Sequence, residues 1–474
     1  MDTIPLDPAK AKTYEALHAF LQGCLFKAVE RGKPQLVSIA AESSLLDPLA
    51  VLESIYEDRQ QHFYIERRRD DLAIAGAEDA LSFSPSGANR FAEVKQWIAE
   101  VLENAIAVGD SSLPFFGPHF FSGFTFFEES KADAPFPSSS VFVPRWQVVS
   151  SKGRCIAIAN AVIAAGDDIE AIAKRIWNAN TKFRTFDYTD SDERSLRDRL
   201  RVLETKECGG DAAFKESVER VLKRIDEGEF QKIVLARALD LKADQAFHPL
   251  EILNTLRERY EDCYAFSIAN GKGQSFIGAS PERLVSVAQG RVNVDVLAGT
   301  APRGKTASED ARLGAGLLES EKDRREHQIV HESVCRRLQD LGLSVSESCN
   351  PSLKKLQNVQ HLFVDVEARL EEGIHLLDLV ASLHPTPAVG GTPREDAVPK
   401  ICEHERFDRG LYAGPIGWIN AKGEGEFLVG IRSALVDGEN ARLFAGVGIV
   451  EGSVPEREHL ETNLKFQALK ENLL

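Results

Sequence analysis

Two pairs of acids open the reading of this chain. Asp323 and Glu326 lie three apart in KDRREHQIVHESV, and Glu458 and Glu461 repeat that spacing in EREHLETNLK. On a helix, residues so spaced share one side. Like charges placed this way repel unless water solvates them or a cation bridges them. Two solvent-facing acidic helices would account for the pattern. So would a Mg²⁺ site, because that ion takes one or two carboxylates and fills its other positions with water and substrate oxygens. Lys465, four after Glu461, shares the helix face and could reach an anion on the metal.

Lys232 opens the apolar run KIVLARALDL. Strand alternation puts Lys232, Val234 and Ala236 on one face. A lysine on an inward face is costly unless paired or neutral, and a neutral one is a usable general base. At a sheet edge the same lysine would simply meet water. Glu282, in SPERL between two strand-like runs, is either a turn residue or an acid kept protonated by nearby carboxylates. Arg432 places a charge inside the apolar run LVGIRSALV, and a guanidinium suits a carboxylate. Gly299-Thr300 and Gly446-Val-Gly448 could offer backbone N–H groups to an anion.

Other motifs fail on spacing. The glycines of AGVGIVEG miss the dinucleotide pattern by one position, and no helix opens at once after them. Gly278-Ala-Ser280-Pro-Glu282 ends in Glu where a serine-hydrolase elbow needs Gly. His327 and His331 have zinc-like spacing, but Gln328 stands where a zincin has Glu and no third ligand is evident. They read as surface or packing histidines.

The elements that must position these groups are strands in clusters with separate helices. Strand-like runs fall at 232–241, 264–269, 275–278, 284–288 and 291–297, at HLFVDVEARL, and at 411–419, 426–436 and 441–450. Helices are expected over about 311–341, 375–383 and 455–472, and Phe214, Val218, Val221 and Ile225 form the stripe of another. Leu17, Phe20, Leu21 and Leu25 share a helical face near the start. The segment FFGPHFFSGFTFF, 115–127, carries seven Phe and reads as a buried strand pair rather than a lipid or quinone site. The polar stretch 181–212 reads as a solvated helix plus connection and the best boundary. The fold class is α+β, antiparallel sheets packed with helices.

Composition narrows the function. With 57 basic and 73 acidic residues the formal charge is −16, and no basic block is present, so a nucleic-acid partner is not expected. An anionic substrate would need local cations or a metal to overcome that background. No apolar run reaches the roughly 18 residues of a membrane span. The seven Cys form no CxxC pair and the start lacks a secretory pattern, which points to reduced thiols and a cytoplasmic location.

Nine segments taken together closely resemble the chorismate-utilising enzymes, in their isochorismate-forming branch: KIVLARAL, FIGASPERL, VDVLAGTAPRG, KDRREHQIVHESV, SLHPTPAVGGTPREDA, FDRGLYAGPIGW, LVGIRSALV, FAGVGIVEGS and EREHLETNLK. They stand in the family's order within 206–474, the expected chorismate-binding catalytic region; 1–205 would be the variable N-terminal part of the same fold. The stretch around Trp146 is similar to the longer, quinone-pathway members. The resemblance implies one large fold of two stacked antiparallel β-sheets, helices outside and an active-site cleft. It implies Mg²⁺ as cofactor and chorismate as substrate, with water added at ring C2 and the C4 hydroxyl expelled.

By that resemblance Lys232 is the base and Glu282 the acid. Glu326 and Glu461 are the metal ligands, with Asp323 and Glu458 nearby or holding metal-bound water. Arg432, Tyr412 and Gly446–Gly448 match positions on the enolpyruvyl carboxylate side. Gly299, Thr300 and Lys465 match ring-carboxylate or cleft positions, and His384 a histidine near the departing groups. PTPAVGG, with Ala388, fits the isochorismate type rather than anthranilate or salicylate synthases. The expected product is isochorismate for menaquinone or phylloquinone, from a monomer or weak homo-oligomer. The alternatives are a salicylate synthase, a siderophore-pathway isochorismate synthase, and an inactive homologue serving as a binding subunit.

Overall fold

A computed structural model describes residues 1–5, 13–55, 59–184, 200–346 and 350–473. The chain adopts the expected α+β fold, with its strands joined in one continuous ladder that divides into two layers. The first layer runs, neighbour to neighbour, through Ala105–Gly109, Gln35–Ser43, Arg154–Ile163, Ser139–Ser151, Leu72–Phe83, Gln61–Arg67, Tyr264–Asn270, Gln274–Ser280, Ser433–Asp437, Asn440–Val450, Lys232–Ala243 and Val202–Glu207. The second leaves the long Ser139–Ser151 strand through His119–Phe124, Pro415–Asn420, Gly425–Val429, Arg283–Ala288, Arg291–Pro302 and Val359–Arg369. All of these pairings are antiparallel except that of Ala105–Gly109 with Gln35–Ser43. Strands from either side of residue 205 pair directly: Gln61–Arg67 with Tyr264–Asn270, and His119–Phe124 with Pro415–Asn420.

The layers meet over an apolar core drawn from both. Phe63 of the first stacks on Phe121 of the second, ring centroids 4.5 Å apart. Gly123 permits this approach, because a Cβ there would stand 2.7 Å from Ile268 Cδ1. The stripe Phe214, Val218 and Val221 is buried on the helix Gly210–Asp226, with Ile225 packed at its margin. Leu21 is buried on the helix Tyr14–Arg31, with Leu17, Phe20 and Leu25 packed beside it.

Several elements differ from their sequence reading. The single helix expected over 311–341 is two, Ala307–Glu319 and Glu321–Asp340. Ser320 divides them, since its extended backbone and its hydroxyl, accepting from Asp323 N–H, start a new helix. The run 426–436 is two strands, Gly425–Val429 and Ser433–Asp437, broken at Arg432 with φ of 51°. Arg432 is therefore not inside a strand. The Phe-rich segment holds one buried strand, His119–Phe124, because Phe115 and Gly117 at positive φ bend the chain before it. In the polar stretch 181–212, residues 185–199 lie outside the described residues, and 202–207 is a strand on the edge of the first layer.

Candidate active site

The two acid pairs do fall on helices. Glu321–Asp340 carries Asp323 and Glu326 and packs on the strand Arg291–Pro302; Pro455–Leu473 carries Glu458 and Glu461 and packs on Asn440–Val450. Lys322 Nζ donates to Glu458 Oε1 at 2.8 Å and ties the helices together. Arg237, on the Lys232 strand, fastens the last helix to the sheet through Thr462 Oγ1 at 2.7 Å and Asn463 Oδ1 at 2.6 Å.

Between the layers lies a cavity of about 90 Å³. It is lined by Glu282, Gly299, Thr300, Glu326, Tyr412, Arg432, Gly446, Gly448, Glu461 and Lys465 among the residues anticipated from sequence. Lys232 is fully buried just behind this wall, with Nζ 2.8 Å from Glu326 Oε1. The lysine on an inward face is thus paired. Gly448 makes the pairing possible, since a Cβ there would lie 2.3 Å from Glu326 Oε1 and 2.8 Å from Lys232 Cε. Gly446 does the same for Tyr412, whose hydroxyl would be 2.6 Å from an added Cβ. Besides the N–H groups they were expected to offer, these glycines supply room.

The charges around the cavity are matched in pairs. Burial pushes the Glu326 carboxyl up, but Lys232, then Lys322 and Lys465, outweigh it and hold it below its ordinary value. Lys465 Nζ donates to Glu461 Oε1 at 2.7 Å and to the Gly446 carbonyl at 2.8 Å. Glu458 and Asp323 do not line the cavity. Burial raises both, with Glu461 adding its charge to each. Asp323 also accepts from the Ser320 hydroxyl and packs beside Gly299, whose φ is 74°. Arg432 has no ion-pair partner among the described residues, and burial lowers its guanidinium.

Glu282 is 4 % exposed, in the turn between Gln274–Ser280 and Arg283–Ala288. Burial, reinforced by Asp295, pushes its carboxyl up to about 8, against the pull of Lys354, Lys232 and Lys465. It is an acid that keeps its proton at neutral pH.

His384 is not among the residues lining the cavity. Its Nε2 is 2.9 Å from the Phe126 carbonyl, its ring is edge-on to Phe91 and Phe126, and burial lowers it to about 3. A histidine that sequence reasoning passed over stands at the cavity instead. His361 Nδ1 lies 3.2 Å from Thr300 Oγ1 and 3.3 Å from the Gly299 carbonyl, and its buried Nε2 has no hydrogen-bond partner among the described residues. A polar residue facing inward from the apolar run HLFVDVEARL was the available signal, the same one that singled out Lys232. His327 and His331 stack on one helix face, 6.5 Å apart. Among the described residues no three His, Cys, Asp or Glu groups come close enough to hold a metal by themselves. Mg²⁺ asks less: Glu326 and Glu461 both reach the cavity, and water and substrate oxygens can complete its shell. The donor set fits that ion.

Two layers of largely antiparallel strands around a cavity with paired carboxylates, a buried lysine and a protonated glutamate point to a class of enzyme, and the family and fold are those of known proteins. Residues 19–474 match the family described as chorismate binding enzyme, and the chain belongs to that family. It is 33 % identical over 464 residues to isochorismate synthase MenF of Bacillus subtilis, covering 96 % of each chain. It is 34 % identical over 473 residues to the salicylate biosynthesis isochorismate synthase of Pseudomonas aeruginosa, covering 97 % of this chain and 95 % of that one. The solved structure of MenF, the menaquinone-specific isochorismate synthase of Escherichia coli, superimposes with a TM-score of 0.77 at 25 % identity, covering 96 % of this chain and all of that one. Among the described residues no helix is long and apolar enough to cross a membrane.

Proposed function

We propose that this protein is a Mg²⁺-dependent isochorismate synthase. The observation that carries the reading is the pairing of opposite chemistries about one cavity: Glu282, a buried carboxyl that keeps its proton up to about pH 8, and Lys232, a fully buried amine paired with Glu326 of the cavity lining. Adding water at C2 and expelling hydroxide from C4 needs a base for the nucleophile and an acid for the leaving group.

In this reading Lys232 takes a proton from the attacking water, and Glu282 gives one to the departing C4 hydroxyl while the double bonds shift. Water enters and water leaves, so product and substrate are isomers; Lys232 ends protonated and Glu282 ionised until solvent resets them. Lys232 Nζ lies 2.8 Å from Glu326 Oε1, so it must let go of that carboxylate to reach the attacking water. Glu326 and Glu461 would hold Mg²⁺, which supplies positive charge to anchor the ring carboxylate. Arg432, whose guanidinium lacks a partner among the described residues, takes the enolpyruvyl carboxylate, with Tyr412 beside it. Lys465 and the Thr300 region flank the ring.

The pathway we infer is quinone synthesis in the cytoplasm, on the likeness to the two MenF proteins. The test is purified protein with chorismate, with and without Mg²⁺, resolved by chromatography against standards, because mass cannot separate isomers. Magnesium-dependent isochorismate without pyruvate is expected. Pyruvate with salicylate would make it a salicylate synthase. Unchanged chorismate, even with ammonia added, would leave a binding subunit.

A further inference from the structure

Beside the Glu282 turn and outside the cavity lining lies a group of charges, from buried Asp295 to half-exposed Asp365, that the reaction scheme does not use. Asp295 and Asp365 stand directly opposite each other on the neighbouring strands Arg291–Pro302 and Val359–Arg369. Like charges in that position destabilise a sheet unless bridged. Arg283 bridges them, with Nη2 2.7 Å from Asp295 Oδ1 and 3.1 Å from Asp365 Oδ1. Lys354 Nζ donates to the other oxygen of Asp295 at 3.0 Å and to the Pro281 carbonyl at 2.7 Å. Asp295 is thus bound to residue 283 directly and to residue 281 through Lys354, the two neighbours of Glu282 in the chain. The turn is pinned from its other side as well. Ser280 Oγ donates to the Val429 carbonyl at 2.6 Å, and Val429 N–H donates to the Glu282 carbonyl at 3.1 Å.

We propose that Asp295 is a positioning residue for the acid: it clamps both neighbours of Glu282 and sets a fixed negative charge near its carboxyl. The proposal rests on the reading of Glu282 as the acid. Asp295 is 5 % exposed, and although burial raises its carboxyl, Arg283 and Lys354 outweigh that and keep it ionised. Its charge raises Glu282, whereas the Lys354 charge lowers it. The other charged or titratable groups about Glu282 are Lys232 and Lys465, with Glu326, Glu461, Arg432, His361 and Tyr412 around the cavity. Two partners in one ion pair therefore act on the acid with opposite sign. A purely structural cluster would not do that, since loss of either partner would disturb the turn in the same way.

The test compares Asp295→Asn and Lys354→Met in the full-length enzyme. Two readouts are taken: the alkaline limb of kcat/KM for chorismate, and the infrared band of the protonated carboxyl that disappears in Glu282→Gln. Asp295→Asn is expected to move limb and band to lower pH by about one unit, the size a neighbouring charge produces, and Lys354→Met to move them to higher pH. Shifts of the same sign, or no shift in folded variants, overturn the proposal while Glu282→Gln still abolishes turnover. Full turnover in Glu282→Gln would instead overturn the assignment of the acid. If Asp295→Asn does not fold, Lys354→Met decides alone: an upward shift supports the proposal, and an unmoved or lowered limb refutes it.

Discussion

Replacing Gly448 with Ala should separate stability from activity. The added Cβ would lie 2.3 Å from Glu326 Oε1, 2.8 Å from Lys232 Cε and 3.2 Å from Lys232 Nζ. An ordinary C···O separation is about 3.3 Å, so the carboxylate must retreat by about 1 Å. Both atoms in the way are the far ends of flexible side chains, not backbone. Relief is therefore local, and the cost to folding should fall at or below the ~1 kcal/mol end of the overpacking range. Catalysis has no such tolerance, because a displacement of about 1 Å in positioned groups costs about 10²-fold, or about 2.7 kcal/mol of transition-state stabilisation. The expected variant melts within a few degrees of the parent and converts chorismate about 100-fold more slowly. Lys232→Ala should abolish turnover, and Gly448→Ala added to it should cost little more, since both act on one group. Wild-type turnover in folded Gly448→Ala would refute the argument. So would a large loss of melting temperature tracking the loss of activity, because the glycine would then serve the scaffold.

Glu282→Gln keeps the shape of the acid without its proton and should abolish turnover, while the parent enzyme loses activity as pH rises through about 8. The same residue links stability to pH. Its carboxyl is raised in the folded state, so its stabilising contribution is lost as pH climbs from about 4.5 to about 8, and unfolding of Glu282→Gln in urea should be flatter with pH across that window. Glu461→Gln should raise the Mg²⁺ concentration needed for half-maximal rate, as read from a metal titration. Arg432→Gln should raise KM for chorismate at saturating Mg²⁺ and leave that half-point in place. Arg409→Met should destabilise by about 3–5 kcal/mol in urea unfolding, because it strands Glu405, 2.6 Å away and itself buried, and frees the Val234 and Val389 carbonyls that wall the cavity.

Spacing along one element was readable from sequence, and contact between elements was not. The i,i+3 acid pairs, the inward face of Lys232 and the turn at Glu282 depend on local periodicity, and each lies where that periodicity puts it. The break at Ser320 was missed because the apolar pattern runs through it; a single capping hydroxyl outweighs the pattern there. Arg432 was read inside a strand for the same reason, though its positive φ ends one strand and turns the side chain to the cavity. His384 shows the reverse error. Its segment does reach the cavity through Ala388 and Val389, but the imidazole is taken by a carbonyl 258 residues away in sequence, at Phe126. No local pattern encodes such a partner. That Gly446 and Gly448 also leave room was not readable, because the space is filled by side chains from a different strand, a turn and a helix.

The balance of charge inside the cleft explains why a protein of net charge −16 can accept a dianion. Three lysines near the cavity each face a carboxylate: Lys232 with Glu326, Lys322 with Glu458 and Lys465 with Glu461. Each is held in an ion pair, and none can turn to an anion without leaving its carboxylate, at a cost of several kcal/mol where that ion is buried. Arg432 is the cation there with no ion-pair partner among the described residues, and it can satisfy one carboxylate. A substrate with two needs a second source of positive charge, and the cavity offers it two carboxylates, Glu326 and Glu461, rather than another free cation. This charge balance is what supports the proposed Mg²⁺ on chemical grounds. Glu326 is already held by Lys232, so an ion bound at that carboxylate would compete with Lys232 for it.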